Sequence, residues 1–298
     1  MNAKPALRPQ LRIGTSLVAV AREILGEART ALAGRKLSDA QRIHDFRKAL
    51  KRWRALLRLL EPPLGNNARV LRTAARKLAR KLARTRDAQS ALDAQADIEK
   101  DGGVLSPRIV ASMSERLHAL KRRRERATLN PALRRQMRAR IGTAERAVGR
   151  WMLDDLGFDD VAGSLTDTYR RARRAIPKAW KQAPPEALHE LRKRVVEHRY
   201  QMELVESLWP KFGKLWVEET QRLRDRLGTF QDLAVLTRLA SPHQPLAHWR
   251  SRLKPLIAER QARHAAAAER LAGQLFAERP KAFRRRISAL WASRGARA

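Results

Sequence analysis

The chain has 298 residues, with 65 Lys and Arg against 30 Asp and Glu, which gives a formal net charge of +35 at pH 7. Such an excess of positive charge predicts an anionic partner, such as nucleic acid, an anionic membrane surface or another polyanion. Hydrophobic residues make up 43% of the chain, which excludes a disordered basic tail. The absence of cysteine excludes disulfides, thiolate zinc sites and thiol catalysis.

No stretch of the sequence approaches the roughly 20 apolar residues that a membrane-spanning helix needs. The N-terminal residues also lack the apolar core of a signal peptide. We therefore expect a soluble intracellular protein without a transmembrane segment.

Proline, glycine and capping residues divide the chain into predicted helices, with Ser38 or Asp39 as the N-cap of the second one. In the first half, helices are predicted over 11–33, 39–60, 68–98, 107–128 and 131–157. In the second half, they are predicted over 165–181, 186–208, 215–239, 246–276 and 281–291. Val, Ile and Thr never form an alternating run, so no strand is predicted and the fold class is all-α.

One motif occurs twice, as His44-Asp45-Phe46-Arg47-Lys48 and as His189-Glu190-Leu191-Arg192-Lys193, at an offset of 189 − 44 = 145 residues. The same offset also relates Arg54 to Arg199, Glu61 to Glu206, Leu78 to Leu223, Leu82 to Leu227 and Asp87 to Asp232. We infer an internal duplication. It predicts two similar helical bundles, residues 1–156 and 157–298, related by a pseudo-twofold axis.

The helix that carries the first motif is predicted to be amphipathic. At about 100° per residue, Lys48, Lys51 and Arg58 fall on the same face as His44, and Arg47 borders that face. In the second copy, His189 and Lys193 share a face that Arg192 borders. A solvated face usually mixes signs, but no acidic residue four positions along neutralises the row from Arg47 to Arg58. We therefore interpret the row as an anion-binding surface.

The next predicted helix is basic as well. Its cations are Arg69, Arg72, Arg76, Lys77, Arg80, Lys81 and Arg84, and in the second copy Arg222 and Arg226 keep the positions of Lys77 and Lys81. Because a short loop joins the two helices, we expect their cationic faces to lie side by side with a polyanion between them.

These residues resemble the conserved-histidine α-helical domain family, known as CHAD, over roughly residues 11–291. The resemblance rests on His44-x-x-Arg47-Lys48-x-x-Lys51-x-x-Arg54, on His189-x-x-Arg192-Lys193-(x)5-Arg199, on the segments Leu82–Asp87 and Leu227–Asp232, and on Tyr169-Arg170-Arg171-Ala172-Arg173-Arg174. It implies two bundles around a basic cavity that binds inorganic polyphosphate, without catalysis or cofactor, in the cytoplasm at polyphosphate granules.

The predicted polyphosphate-binding residues combine the family motifs with the cationic faces. They are His44, Arg47, Lys48, Lys51, Arg54, Lys77, Lys81, Arg84, Arg170, Arg173, His189, Arg192, Lys193, Arg199, Arg222 and Arg226. Val196 and Glu203 stand where the first copy has Lys51 and Arg58, so we expect a less cationic second surface.

This cationic surface has three alternative interpretations. Metal binding is disfavoured because the neighbours of both histidines are cations, which repel a metal ion. Phosphotransfer through a phosphohistidine fits the cations, but the sequence has neither a Gly-rich phosphate loop nor clustered carboxylates for Mg²⁺. Nucleic-acid binding is the main rival, but aromatics total only 5%, and single-strand binders need aromatic side chains for base stacking. Weak, non-specific binding of nucleic acid is still expected from the charge.

Overall fold

The computed structural model describes residues 5–33, 38–82, 86–100, 105–128 and 130–295. Within these ranges the chain is mainly helical and has no strand, so the all-α prediction is confirmed. The helices of the first half are α1 (Ile13–Ala33), α2 (Asp39–Leu59), α3 (Glu61–Leu64), α4 (Asn66–Lys81), α5 (Arg86–Glu99), α6 (Pro107–Thr128) and α7 (Pro131–Val148). Those of the second half are α8 (Phe158–Arg174), α9 (Pro185–Val205), α10 (Pro210–Leu239), α11 (Arg250–Leu275) and α12 (Pro280–Gly295).

Side-chain caps and prolines set several helix starts, as the sequence predicts. The Ser38 hydroxyl accepts a hydrogen bond from the Gln41 backbone N–H at 3.2 Å and so caps α2. The Asn130 side chain accepts one from the Leu133 N–H at 2.8 Å, and Pro131 occupies the first turn of α7. None of the helices in the described ranges combines the length and apolarity needed to cross a membrane.

Several predicted helix boundaries are wrong; for example, the helix predicted from residue 215 begins at Pro210 as α10. The helix predicted over 68–98 ends at Lys81 as α4, and α5 begins at Arg86, whereas α10 in the second half is continuous for 30 residues. The helix predicted over 165–181 spans 158–174, because the Asp160 carboxylate caps the Gly157 N–H at 3.0 Å and starts the helix earlier. The helix predicted to reach residue 157 ends at Val148.

Helix packing follows the same pattern in the two halves. In the first half α1 packs against α2 and α7, and α2 packs against α4. In the second half α8 packs against α9 and α12, and α9 packs against α10. The starts of α1 and α8 differ by 158 − 13 = 145 residues, which is the offset of the motif. This agreement supports the duplication, which stays a prediction together with the pseudo-twofold axis and the boundary at 156/157.

The two halves share their apolar cores. α2 packs against α9, and α5 packs against α10. The larger core includes Phe46 and Trp53 of α2 with Tyr169 of α8, and the smaller core joins α5 and α6 to the end of α10 and to α11. Burial of Phe46 and Trp53 confirms the apolar face predicted for α2.

Two ion pairs also hold α2 against α9, and the 145-residue offset relates the arginine of each pair to the glutamate of the other. Arg52 Nε lies 3.6 Å from a Glu203 carboxylate oxygen, and Arg58 Nε lies 3.2 Å from one of Glu197. The offset relates these pairs, since 52 + 145 = 197 and 58 + 145 = 203. Glu203 is only 3% exposed, so its negative charge belongs to this interface and does not make a surface less cationic, contrary to the sequence interpretation.

Candidate functional site

A cleft of about 840 Å³ lies between α2, α5, α6, α9 and α10. Its basic lining residues are His44, Arg47, Lys48, Lys51, Lys121, Arg192, Arg199 and Arg224. Its acidic lining residues are Asp93, Asp225 and Asp232. With histidine neutral, seven Lys and Arg against three Asp give these residues a net charge of 7 − 3 = +4. A concave surface with one dominant sign of charge concentrates the field on an anionic ligand.

The first motif forms one wall of this cleft. His44 and Lys48 are exposed on α2, and Arg47 and Lys51 are half-buried beside them, as the helical spacing predicts. Arg47 Nη1 donates to the Leu82 carbonyl at 2.6 Å, just after the end of α4. This bond ties α2 to the α4 terminus and fixes the direction of the Arg47 guanidinium.

The second copy of the motif contributes a different set of groups. Arg192 lines the cleft and its guanidinium lies against Gly228 of α10, where an added Cβ would stand 3.6 Å from Nε and Nη2. Arg199 also lines the cleft and pairs with Glu203 at 2.6 Å. Both arginines therefore line the same cleft as the first copy of the motif.

His189 and Lys193 are absent from the described lining of the cleft. The His189 Nδ1 atom lies 3.0 Å from Gln231 Oε1, and Lys193 pairs with Glu190 at 3.2 Å. Burial lowers the pKa of His189, and Lys193 and Arg192 lower it further, although the bond to Gln231 opposes them. His189 is therefore biased toward the neutral form that donates through Nδ1 to the amide oxygen.

Arg54 lies on the α2 face toward α4 rather than in the cleft lining. Burial lowers the pKa of its guanidinium, Glu197 opposes the shift, and Arg76, Arg72 and Arg58 add to it. Arginine nevertheless stays charged in proteins. Arg54 thus belongs to a second group of cations, in which Glu61 pairs with Arg58 at 2.7 Å and with Arg72 at 3.0 Å. Glu61 and Glu197 therefore pair with Arg58 at the end of the row that has no acidic neighbour in the sequence pattern.

The remaining predicted residues are spread over other surfaces. Lys77 lines a separate groove, Lys81 Nζ donates to Gln136 at 2.8 Å, and Arg222 pairs with Glu219 at 2.7 Å. Arg173 Nε donates to the Phe276 carbonyl at 3.0 Å, which ties α8 to the end of α11, while Arg170 pairs with Asp167. Arg226 is exposed on α10, and Arg84 lies outside the described residues. Cations of α2 and α4 do lie side by side at Arg58 and Arg72, but Glu61 lies between them, and α5, α6, α9 and α10 form the other walls of the cleft.

Two cations that the sequence did not single out also line the cleft. Lys121 reaches it from α6, inside a run of basic residues that has no motif. Arg224 reaches it from α10, and Asp225 beside it accepts hydrogen bonds from Arg224 and from Gln221. Only the packing of distant helices brings these residues to the cleft, so no local sequence signal could have found them.

Two of the three acidic residues in the described lining of the cleft, Asp93 and Asp225, are hydrogen-bonded along their own helices. The Gln221 amide donates to Asp225 at 2.7 Å, and the Gln89 amide donates to Asp93 at 2.8 Å. Each glutamine precedes its aspartate by four residues, which is the spacing of neighbours on a helix surface. Within the described residues, no group of three or more His, Asp or Glu stands close enough to hold a metal ion.

The protein is all-α, and the described lining of its cleft carries a net positive charge. The CHAD domain family model matches residues 19–241, more than half of the chain, and the chain therefore belongs to the CHAD family. It is also similar to the crystal structure of the CHAD domain from the plant Ricinus communis, with a TM-score of 0.57. That match has 17% identity and covers 96% of this chain and 95% of the other, so it shows the shared fold. A search of curated proteins finds no match.

Proposed function

We propose that this protein binds inorganic polyphosphate in the cleft between α2, α5, α6, α9 and α10, without changing it chemically. The observation that carries the proposal is the surplus of seven Lys and Arg over three Asp around one concave space. Each interior unit of polyphosphate carries a negative charge, so a cleft that is lined by cations from the four helices α2, α6, α9 and α10 suits a chain of phosphates. Membership of the CHAD family supports the same ligand.

Arginine and lysine have different roles in this proposal. Arg47 is fixed by the Leu82 carbonyl, and Arg192 lies against Gly228, so both present oriented guanidinium groups. Such groups bind phosphate oxygens through paired, charge-assisted hydrogen bonds. Lys48 is exposed and acts as a mobile point charge. His44 adds a hydrogen-bond donor, which is stronger when the ring is protonated.

The lining of the cleft favours polyphosphate over a nucleic acid. Tyr200 is the one aromatic residue among the described lining residues, and it is 8% exposed. The Arg199 guanidinium carbon lies 4.7 Å from the centre of its ring. Apart from the His44 imidazole, bases would therefore lack an exposed aromatic ring in the described lining on which to stack.

The deciding experiment is a competition of polyphosphate against RNA and DNA of matched charge over a salt series. We expect polyphosphate to displace both nucleic acids at every salt concentration. Equal competition at equal charge would instead establish a general polyanion-binding surface, because counterion release alone does not distinguish the polymers.

Catalysis is tested separately with pure protein, Mg²⁺ and either ATP or polyphosphate. We expect no turnover, because the cleft is proposed to hold the polymer and not to transfer phosphate. Turnover that His44→Ala or His189→Ala abolishes would replace this proposal with phosphotransfer. We further propose that binding places the protein on polyphosphate granules in the cytoplasm, where a fluorescent fusion would co-localise with the polymer.

A further inference from the structure

A second concave surface lies on the first bundle, between α4 and α7. Its mouth has a volume of about 350 Å³ and opens onto an apolar cavity of about 70 Å³. The mouth and the cavity share Val70, Ala74 and Arg140. None of the described residues that line this groove also lines the cationic cleft.

The groove is apolar inside and basic at its edge. The side chains that line the cavity include Leu71 and Leu78 of α4 and Met137 and Ile141 of α7. Val70 is 59% exposed at the opening, which makes it one of four large exposed apolar residues among those described. The charged residues of the described lining are Arg69, Lys77 and Arg140, all cationic.

The equivalent position in the second bundle is filled. There Phe212 and Trp216 of α10 contact each other with ring centroids 5.6 Å apart, and Trp216 lies 5.9 Å from Phe283 of α12. The Arg286 guanidinium carbon lies 4.9 Å from the centres of both the Phe212 and the Trp216 rings. The offset of 145 places Asn67 and Leu71 at the positions of Phe212 and Trp216. The smaller side chains of the first bundle therefore leave a groove open, whereas aromatic rings fill the equivalent position in the second bundle.

We propose that the α4/α7 groove binds an acidic amphipathic helix of a partner protein. Apolar side chains of that helix would enter the cavity beside Val70, and its carboxylates would face Arg69, Lys77 and Arg140. An additional helix suits a seam between two helices of a bundle, since apolar residues spaced three and four apart fit such grooves. The α4 side of the groove runs from Asn66 to Lys77, about 18 Å at 1.5 Å per residue, which suits a helix of about 12 to 14 residues.

The test uses a synthetic, dye-labelled peptide of about 14 residues, with leucines on one helical face and glutamates elsewhere. The control peptide has the same composition in an order that destroys the apolar face. This control is essential because a protein of net charge +35 attracts any acidic peptide. The chain has no cysteine, so Thr143→Cys, at the edge of the cavity, provides a unique position for an environment-sensitive dye. Saturating polyphosphate is present throughout to occupy the cleft.

Matched substitutions at equivalent positions decide the result. Val70→Glu places a carboxylate in the groove, whereas Leu215→Glu makes the same change at the equivalent exposed position of α10, since 215 − 145 = 70. We expect the first to weaken peptide binding about tenfold and the second to change it less than twofold. Ala74→Phe, which fills the groove, should weaken peptide binding at least as much as Val70→Glu, and none of the three substitutions should alter polyphosphate affinity.

Three outcomes would overturn the proposal. The first is equal binding of the two peptides, which would mean attraction by charge alone. The second is an equal effect of Val70→Glu and Leu215→Glu on peptide binding. The third is binding of anionic lipid vesicles that Val70→Glu abolishes, while peptide binding is unaffected, because the groove would then be a lipid site. If polyphosphate does not bind, the cleft stays accessible to the peptide, but the comparison of Val70→Glu with Leu215→Glu still tests the groove, so the two proposals fail separately.

Discussion

The two copies of the His-x-x-Arg-Lys motif lie on equivalent helices but in different surroundings. His44 and Lys48 are exposed on the wall of the cleft, whereas His189 is bound to Gln231 and Lys193 is paired with Glu190. The second copy instead supplies Arg192 to the same cleft. A repeated motif has thus produced one asymmetric cleft lined from both halves, in place of two equivalent surfaces.

The interface between α2 and α9 shows the same divergence in its charges. Glu203 stands where the first copy has Arg58 and accepts from Arg199 at 2.6 Å, with Arg52 3.6 Å away. Glu203→Gln would leave these guanidinium groups with weakened partners in a largely buried interface. We expect it to lower the free energy of unfolding by about 3 kcal/mol. Urea denaturation measures this loss.

The matched control for this substitution is Glu190→Gln. The Glu190 side chain is 42% exposed and pairs with Lys193 and Arg194 at the surface, where ion pairs contribute about 1 kcal/mol or less. Similar losses of unfolding free energy in the two variants would show that the buried Glu203 ion pairs stabilise the interface no more than a surface ion pair does.

Double substitutions sharpen the comparison of the two motif copies. His44→Ala with Lys48→Ala removes two exposed donors from the cleft wall, and we expect it to weaken polyphosphate binding about tenfold or more. His189→Ala with Lys193→Ala makes the same changes in the second copy. Because neither residue is part of the described lining, we expect a loss below threefold, measured by equilibrium titration. A larger loss of affinity in the His189→Ala, Lys193→Ala variant than in the His44→Ala, Lys48→Ala variant would show that the second copy of the motif forms the binding surface.

The pH dependence of polyphosphate binding also distinguishes His44 from His189, with a smaller expected change in affinity than the double substitutions give. A bound polyanion favours the protonated form of an imidazole, so binding takes up protons and tightens as the pH falls. Burial and the cations Lys193 and Arg192 lower the pKa of His189, which keeps it neutral over more of the range from pH 8 to 5.5. We therefore expect polyphosphate binding to tighten about threefold from pH 8 to pH 5.5 in the wild type and in His189→Gln. In His44→Gln this tightening should be absent.

Affinity titrations at fixed salt measure this dependence. If the wild type and the His44→Gln variant show the same pH dependence, His44 does not act as a protonated donor. Its role would then be to orient neighbouring side chains.

Local signals in the sequence predict much of this fold. The Ser38 cap and the Pro131 start are read directly from residue types, and helical spacing places His44, Arg47, Lys48 and Lys51 on one face. The break after Lys81 was missed because residues 68–98 contain neither proline nor glycine. The start of α8 has a weak signal in the sequence, because its cap is the Asp160 carboxylate three residues after Gly157 rather than a side chain at the N-cap position.

The site was harder to predict because a helical wheel gives a face but not its neighbours. Arg58 shares the face of His44 on the helical wheel. In the structure, however, Arg58 donates to Glu197 of α9, which is 139 residues away in the sequence. Lys121 and Arg224 come to the cleft only through the packing of α6 and α10. Tertiary contacts therefore decide which cations of a strongly basic chain surround one space and which ones pair elsewhere.

The most direct test of the account compares two triple substitutions in polyphosphate binding over a salt series. Lys48, Lys51 and Lys121 line the cleft, whereas Lys281, Arg284 and Arg285 are exposed on α12, and each set is changed to alanine. We expect the cleft variant to lose affinity by about 100-fold and its slope of log affinity against log salt to flatten by about 2 to 3. The α12 variant should keep the wild-type slope to within about 1. Equal losses of affinity and slope in the two variants would contradict the account, because binding would then come from diffuse surface charge.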